Sequence, residues 1–169
     1  MRPFARPGSV WPRAAFCLAL LACLAACPPA VRAGEPPAMG RYANAKYGYA
    51  IDYPKAFSPQ GEADAGDGQV FLAPGGAGEM RVYAAYNALE TPFRGRYQES
   101  LAALGVRPVY TLFREDWFVV SGIVGGKVYY EKTLARGDVF FTVSFTYDPA
   151  ARALFESVIG RVIKSFAVK

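Results

Sequence analysis

The stretch Val139-Phe140-Phe141-Thr142-Val143-Ser144-Phe145-Thr146-Tyr147-Asp148-Pro149 decides the fold. Apolar residues stand at every second position of its first nine residues, which predicts a β-strand with one face in the core. The core face is Val139, Phe141, Val143, Phe145 and Tyr147. The intervening residues, Phe140, Thr142, Ser144 and Thr146, are expected for the most part nearer solvent. Asp148 and Pro149 then open a helix, since Pro is favoured in the first helical turn.

The helix after Pro149 carries an apolar stripe that is expected to cover the sheet. The stripe consists of Leu154, Val158, Val162 and Phe166, with Phe155, Ile159 and Ile163 beside them, and the opposite side holds Arg152, Glu156, Arg161 and Lys164. Gly160 costs a helix about 1 kcal/mol relative to Ala. We expect this glycine to allow a close approach of the helix to the sheet.

The region upstream is predicted to consist of strands joined by short turns. The predicted strands are residues 41–44, 49–53, 69–73, 80–86, 109–114, 117–124 and 127–134. Lys46-Tyr47-Gly48, Pro74 to Gly78 and Gly125-Gly126 have the composition of turns, and residues 58–68 are expected to form a polar loop.

A second helix is predicted after Thr91, as N-cap, and Pro92, as first helical residue. Phe93, Tyr97 and Leu101 recur at helical spacing on one face, and Gly105 is placed to end the helix. Consecutive strands with short turns favour an antiparallel sheet. Two amphipathic helices beside such a sheet make the predicted class α+β, an antiparallel sheet flanked by helices.

The N-terminal segment has the features of an export signal. Arg2, Arg6 and Arg13 precede an uncharged apolar run of 13 residues from Ala14 to Ala26. That run is shorter than the roughly 20 residues that span a bilayer, and it matches the apolar region of a signal peptide. The predicted organisation is an export signal at 1–33, a flexible lead at 34–40 and a single domain at 41–169.

Two processing routes fit this segment. Val31-Arg32-Ala33 is a small-x-small site whose cleavage would leave a soluble protein beginning at Gly34. Leu24-Ala25-Ala26-Cys27 resembles a bacterial lipobox, which would make Cys27 the lipidated first residue of an envelope lipoprotein. The expected location is therefore the periplasm, or a membrane surface reached through this anchor.

Charge and residue usage exclude several kinds of function. From Gly34 onward the chain has 15 basic and 14 acidic residues, a net charge of +1, so a nucleic-acid-binding surface is not expected. All three cysteines lie at or before position 27, and the chain has no histidine. The commonest general base and the commonest zinc ligand are therefore missing. No cofactor or metal site is predicted.

Three stretches resemble PsbP-like domains. Tyr47-Gly48-Tyr49-Ala50-Ile51-Asp52-Tyr53-Pro54 is similar to the opening of these domains. Trp117 to Gly122 with Tyr129 to Thr133 resembles their central hairpin, and Ile159 to Phe166 their closing helix. The resemblance covers about residues 41–168. The wider fold group includes the PsbP subunit of photosystem II, a Ran-binding nuclear import factor and the envelope protein DcrB.

This resemblance implies an α/β/α sandwich built on an antiparallel sheet. It also implies an accessory or binding role, because those members are not enzymes. Metal sites of PsbP-like proteins depend on histidine among other ligands, so none is carried over to this chain. Fold resemblance supports architecture better than function.

Three sets of residues have a partial likeness to known chemical motifs. The acidic stretch Glu62 to Gly68 lacks the ligand order of a calcium loop and is interpreted as a solvated loop. Gly122 to Lys127 resembles a phosphate loop only superficially and is interpreted as a hairpin turn. Ser121 with Lys127 or Lys132 is the one nucleophile–base pair that the sequence leaves open, although Ser121 lies within a predicted strand.

The leading hypothesis is a non-catalytic exported protein that binds another component of the cell envelope. Its predicted docking surface is the polar face of one strand, formed by Lys127, Tyr129, Glu131 and Thr133. Tyr129 is the aromatic residue most expected to be exposed, since tyrosine is favoured at interfaces. The alternative is a periplasmic carrier that holds a small apolar ligand between sheet and helix.

Overall fold

Ten β-strands and two α-helices make up residues 36–168, the part of the chain that this computed structural model describes. The strands are β1 Met39–Asn44, β2 Tyr49–Pro54, β3 Ser58–Glu62, β4 Gly68–Leu72, β5 Gly78–Tyr86, β6 Tyr110–Phe113, β7 Trp117–Val124, β8 Lys127–Arg136, β9 Val139–Tyr147 and β10 Ala167–Val168. The helices are α1 Phe93–Leu104 and α2 Arg152–Ser165, with 3-10 turns at Pro74–Gly76 and Pro149–Ala151.

The strands form two antiparallel sheets. The large sheet has the order β3-β4-β5-β9-β8-β7-β6, and the small sheet has the order β1-β2-β10. Strands β6 to β9 form a meander of hairpins, and β5 pairs with β9 along nine residues. The predicted α+β class, with an antiparallel sheet and helices on it, is therefore confirmed.

The main core lies between the large sheet and a layer made of α2 and the small sheet. Phe155 of α2 stacks on Tyr147 of β9 with 4.3 Å between ring centroids, and Tyr49 of β2 meets Phe141 edge-on at 5.9 Å. Phe155, Val158 and Val162 are fully buried. The predicted apolar stripe of the last helix therefore does cover the sheet, and we call this side of the large sheet the α2 face.

Helix α1 lies on the opposite side, the α1 face, and covers only part of it. Phe93 packs on Phe118 at 5.4 Å and Tyr97 on Phe113 at 5.1 Å, as their helical spacing predicts. A smaller core of Leu104, Phe118 and Val120 lies beneath. The backbone of Gly105 is left-handed (φ 65°) and ends the helix, as the sequence indicates.

Burial on β9 differs from the prediction. Phe140, Thr142 and Ser144 were expected nearer solvent, but each is buried. Phe140 lies beneath Phe93 at 5.8 Å, because α1 covers this end of the strand. Thr142 bonds Thr133 within a polar cluster. Alternation along β9 therefore identified the two faces correctly but not the burial of the second one.

Four local expectations also need correction. The predicted loop at 58–68 begins with the edge strand β3, which bulges between Pro59 and Glu62. β1 starts at Met39, two residues inside the expected flexible lead. α1 starts at Phe93 with Pro92, and not Thr91, as N-cap, and the backbone of Thr91 is hydrogen-bonded to the side chain of Asn87. No atom lies within 4 Å of a Cβ built on Gly160, so this glycine serves no close approach.

Candidate functional site

A broad concave surface lies on the α1 face of the large sheet. α1 packs over β6, β7 and the Phe140 end of β9, and it does not extend over the same face of β4 and β5 or over Thr146 near the other end of β9. The result is an open groove of about 730 Å³. We call it the open groove; its lining includes Gln60, Val70, Glu79, Arg81, Tyr83, Tyr129, Ser144 and Thr146.

Strand register explains why these side chains share one surface. Arg81 is paired with Val70 on one side and Ser144 on the other, and Tyr83 follows two residues later on β5. Paired residues of neighbouring strands point to the same face of a sheet. Arg81 is exposed and forms an ion pair with Glu79 at 3.1 Å. Arginine and tyrosine together on an accessible sheet are typical of protein interfaces.

A buried carboxylate, Glu131, lies beneath α1 and is hydrogen-bonded to Tyr129, which lines the open groove. Glu131 is 4% exposed and accepts hydrogen bonds from Ser100 Oγ (3.0 Å), the Tyr129 hydroxyl (2.6 Å) and Thr133 Oγ1 (2.8 Å). The Arg96 guanidinium lies 4.0 Å away. Ser100 and Arg96 belong to α1, so this cluster joins the helix to β8. We call it the Glu131 cluster.

The surroundings of Tyr129 within the cluster favour the neutral form of its hydroxyl. Burial, and next the nearby charge of Glu131, raise the pKa of Tyr129 well above its ordinary value. Every buried side-chain nitrogen or oxygen among residues 36–168 has a hydrogen-bond partner. Because it accepts hydrogen bonds from Ser100 of α1 and from Tyr129, Glu131 is suited to holding both in place.

The predicted docking surface is brought together only in part. Lys127 is exposed and lies 3.9 Å from Asp148, and the half-buried Tyr129 is among the residues that line the open groove. The expectation of exposure is wrong for Glu131 and for Thr133, which is fully buried. Period-two patterning placed both on the α1 face correctly, but α1 covers that part of the face.

A second groove, of about 360 Å³, lies between α2 and the β6–β8 end of the sheet. Its lining is mostly apolar and aromatic, with Arg152 and Glu156 on α2. The lining includes Val109, Tyr110, Ile123, Tyr130, Tyr147 and Ile159. This second groove lies between sheet and helix, where the alternative hypothesis expects a small apolar ligand.

Ser121 is not poised for nucleophilic chemistry. Its hydroxyl donates to the carbonyl of Tyr129 at 2.8 Å. Lys132 lies over the ring of Trp117 at 4.8 Å, and burial lowers the pKa of its amine. The serine proton is therefore directed to the backbone, and the geometry offers no support for a pair of Ser121 with Lys132.

The acidic stretch and the glycine-rich turn have structural roles. In the acidic stretch, Glu62 accepts hydrogen bonds from Tyr42 (2.7 Å) and Asn44 (3.1 Å), which join β3 to the small sheet. Gly125 and Gly126 have positive φ angles in the turn between β7 and β8, so the interpretation as a hairpin turn is confirmed. Residues 36–168 contain no group of three or more His, Cys, Asp or Glu side chains arranged for a metal ion.

The predicted export signal and the lipidation residue Cys27 lie outside the described residues. Within the described part of the chain, neither helix has the length and apolar character needed to cross a bilayer. The signal, the choice between Cys27 and Ala33 processing and the envelope location therefore stay predictions.

Comparison with solved structures identifies the fold. The chain is similar to the solution structure of cyanobacterial PsbP (CyanoP) from Synechocystis sp. PCC 6803, with a TM-score of 0.58 at 14% identity, over 82% of this chain and 96% of that one. A crystal structure from Bacteroides thetaiotaomicron VPI-5482 aligns with a TM-score of 0.48 at 15% identity, over 80% of this chain and 49% of that one. The fold is PsbP-like, as the sequence resemblance implied.

Other comparisons return nothing. No protein-family model and no curated protein matches the chain. At 14% identity the structural likeness defines architecture alone, since one fold hosts many functions.

Sequence reasoning missed the central residues of the open groove. Arg81 and Tyr83 were assigned to a strand without a functional role. One signal was present: Arg81 alternates with the apolar Met80 and Val82. Such alternation indicates a strand face that is open to solvent. The position of α1, which decides how much of that face is covered, has no comparable signature in the sequence.

Proposed function

We propose that this protein is an exported, non-catalytic accessory module that binds another protein of the cell envelope through the open groove. The observation that carries the proposal is the half-covered α1 face. A sheet face with a groove of about 730 Å³, lined by Arg81, Tyr83 and Tyr129, is a surface of the right chemistry for a protein partner.

The architecture supports a preformed site. Arg81 and Tyr83 lie on the part of β5 that pairs with β4 on one side and β9 on the other, so their backbones are fixed within the sheet. Tyr129 is fixed by its 2.6 Å hydrogen bond to Glu131. Residues held by strands and by a hydrogen-bond network lose little conformational freedom on binding.

The export signal supports the envelope location of the partner. A basic segment, an apolar run of signal-peptide length and a small-residue cleavage site precede the domain. The signal and the groove together support a domain that binds its partner outside the cytoplasm. Cleavage before Cys27 would add a lipid anchor to this domain.

The experiment is a crosslinked pull-down of the tagged full-length protein from native membranes. Variants Arg81→Glu and Tyr83→Ala change the groove, and Lys55→Glu changes an exposed charge elsewhere. The proposal expects one stoichiometric partner with wild type and Lys55→Glu, and its loss with both groove variants. Equal capture by all four proteins would contradict the groove as the docking surface.

Intact-mass analysis of the same preparation tests the processing routes. A mature chain that begins at a diacylated Cys27 supports the anchor, and one that begins at Gly34 supports a soluble periplasmic protein. A mass corresponding to the uncleaved 169 residues would contradict export.

The second candidate function is a carrier of a small apolar ligand. The observation that favours it is the groove between α2 and the sheet, whose volume of about 360 Å³ falls within the roughly 300–1,000 Å³ of small-molecule sites. Native mass spectrometry of the protein purified from its host tests it. A co-purifying small apolar compound that is lost in the Ile159→Asp variant supports the carrier, and a ligand-free spectrum contradicts it.

A further inference from the structure

A smaller pocket, of about 280 Å³, lies between α1 and the large sheet beside the open groove. Tyr83 and Tyr129 line both spaces, so the pocket adjoins the groove at these two side chains. One side of α1 forms a wall, because residues three or four positions apart lie on the same side of a helix. We call it the side pocket; α1 contributes Arg96, Ala103 and Leu104 to its lining, and β7 and β8 contribute Val124 and Glu131.

The Arg96 side chain has donors to spare. Its nearest carboxylate oxygens are Glu99 Oε2 at 3.6 Å and Glu131 Oε1 at 4.0 Å, and both distances exceed that of a hydrogen bond. The side chain is 23% exposed, and no side-chain nitrogen among residues 36–168 is both fully buried and unpaired. The guanidinium therefore remains accessible, and a group that enters the side pocket can accept its hydrogen bonds.

Glu131 has an acceptor position left on the same pocket. Its Oε1 accepts hydrogen bonds from Ser100 and Thr133, and its Oε2 accepts one from Tyr129. A carboxylate offers about four acceptor positions, so these donors leave one position open. The bond from Tyr129 is itself a phenol hydroxyl donating to this carboxylate.

The charges around the side pocket select a neutral polar group. A ligand carboxylate would lie near Glu99 and Glu131, and a ligand ammonium would lie near Arg96, and like charges side by side are unfavourable. A wholly apolar ligand would displace water from Arg96 without replacing its hydrogen bonds. A hydroxyl satisfies both sides, because it accepts from one group and donates to another.

We infer that the side pocket receives a tyrosine side chain of the partner. The ring contacts Leu104 and Val124, and the hydroxyl accepts from Arg96 and donates to Glu131. Tyrosine is among the residues that most often anchor an interface by filling a pocket. The preference for a phenol rests on the pocket alone. Its assignment to the partner rests on the proposed function, because the open groove brings the partner alongside.

Two probes separate the hydroxyl from the ring. N-acetyl-tyrosinamide and N-acetyl-phenylalaninamide are titrated into the protein purified from its own host, and backbone NMR shifts at Ser100 and Glu131 are followed. We expect saturable shifts with the tyrosine probe and about tenfold weaker binding of the phenylalanine probe, the effect of one hydrogen bond to a charged group. Arg96→Met keeps the apolar stem of the side chain and should make the two affinities more nearly equal.

A pair of alanine substitutions blocks the pocket or leaves it open. Ala103→Leu places a larger side chain in the side pocket and should abolish binding of the tyrosine probe. Ala102→Leu, at the neighbouring exposed position of α1, is the matched control and should bind as wild type. Circular dichroism verifies the fold of each variant. No saturable binding of the tyrosine probe, equal affinity of the two probes for wild type, or binding unaffected by Ala103→Leu would overturn the phenol pocket.

The crosslinked pull-down then tests the source of the phenol. Loss of the partner with Ala103→Leu but not with Ala102→Leu supports a tyrosine of the partner. Capture that is unchanged by Ala103→Leu would overturn this assignment and leave the open groove as docking surface. Failure of the proposed function is distinguishable, because wild type then captures no partner. The partner's tyrosine is contradicted in that case, and the titration still decides whether the pocket prefers a phenol.

Discussion

The two faces of the large sheet are built on different chemistry. On the α2 face, Phe155 lies among Phe57, Phe145 and Tyr147, and the whole contact is apolar. On the α1 face, an aromatic cluster around Phe93 is joined to a buried polar cluster around Glu131, and half of the face is open. We call the α2 face the closed face, because its packing around Phe155 is tight and a smaller groove lies at its β6–β8 end, and the α1 face the half-open face. The closed face supplies stability, and the half-open face has the larger groove for a partner.

The largest expected effect is on the closed face. Phe155→Ala should destabilise the protein by about 3–5 kcal/mol, because it removes a fully buried aromatic ring and leaves a cavity among three others. Urea unfolding measures the loss. Glu156→Ala, on the exposed side of the same helix, is the matched control and should change stability by under about 0.5 kcal/mol. A loss below 1 kcal/mol for Phe155→Ala would mean that α2 is not docked as described.

The next effect separates the two faces. Glu131→Ala should cost roughly 2–3 kcal/mol, because the hydroxyls of Ser100 and Thr133 lose their acceptor in a buried place. Hydrogen exchange should then show faster exchange in α1 than in α2. Glu131→Gln keeps one acceptor and the shape of the side chain, so its cost should be smaller. Equal acceleration in both helices would contradict a role of the cluster in holding α1.

Two glycines allow a sharper comparison of the two faces, because substitution by alanine should change the stability in opposite directions. A Cβ on Gly122 would lie 2.9 Å from Leu104 Cδ2, so Gly122→Ala should destabilise the α1 contact by about 1 kcal/mol. Gly160 in α2 has open space around its Cα, so Gly160→Ala should stabilise by about 0.5–1 kcal/mol. Thermal unfolding measures both. If both changes have the same sign, the assignment of one tight and one open glycine is wrong.

The smallest effect is seen only at alkaline pH. Burial raises the pKa of Tyr129, and also those of Tyr49 and Tyr130, in the folded state. A raised folded pKa gives stability that is complete below the unfolded value, about 10, and is lost as pH rises above it. The melting temperature should therefore be unaffected by these groups at pH 8 and should fall beyond pH 10. Tyr129→Phe should reduce that slope, and an unchanged slope would contradict the burial of this tyrosine.

The closed face was predictable from the sequence because the residues that recur with helix or strand periodicity there are the residues that are buried. The helical spacing of Val158 and Val162 and the alternation of Phe141, Val143 and Phe145 each specify one apolar surface, and the two surfaces meet. The resemblance of Tyr47 to Pro54 to PsbP-like domains indicated the same fold. The edge strand β3 was missed because Pro59 and Gly61 are turn residues that here form a bulge.

The half-open face was not predictable to the same degree. Glu131 and Thr133 have the polarity of surface residues, and only the placement of Ser100 by α1 makes them a buried cluster. Arg81 and Tyr83 have the pattern of an ordinary exposed strand face. Whether such residues are covered or accessible depends on where a helix distant in sequence packs, and local periodicity carries no information about that.

Site-specific photocrosslinking tests the central claim most directly. A photoreactive phenylalanine analogue is placed at Tyr83 in the open groove or, as a control, at Tyr53 on the α2 side, in full-length protein expressed in its own host. The account predicts one discrete protein adduct from position 83 and none from position 53, with the adduct from position 83 lost when Arg81→Glu is added. No adduct at position 83, or equal adducts at both positions, would contradict the open groove as the docking surface.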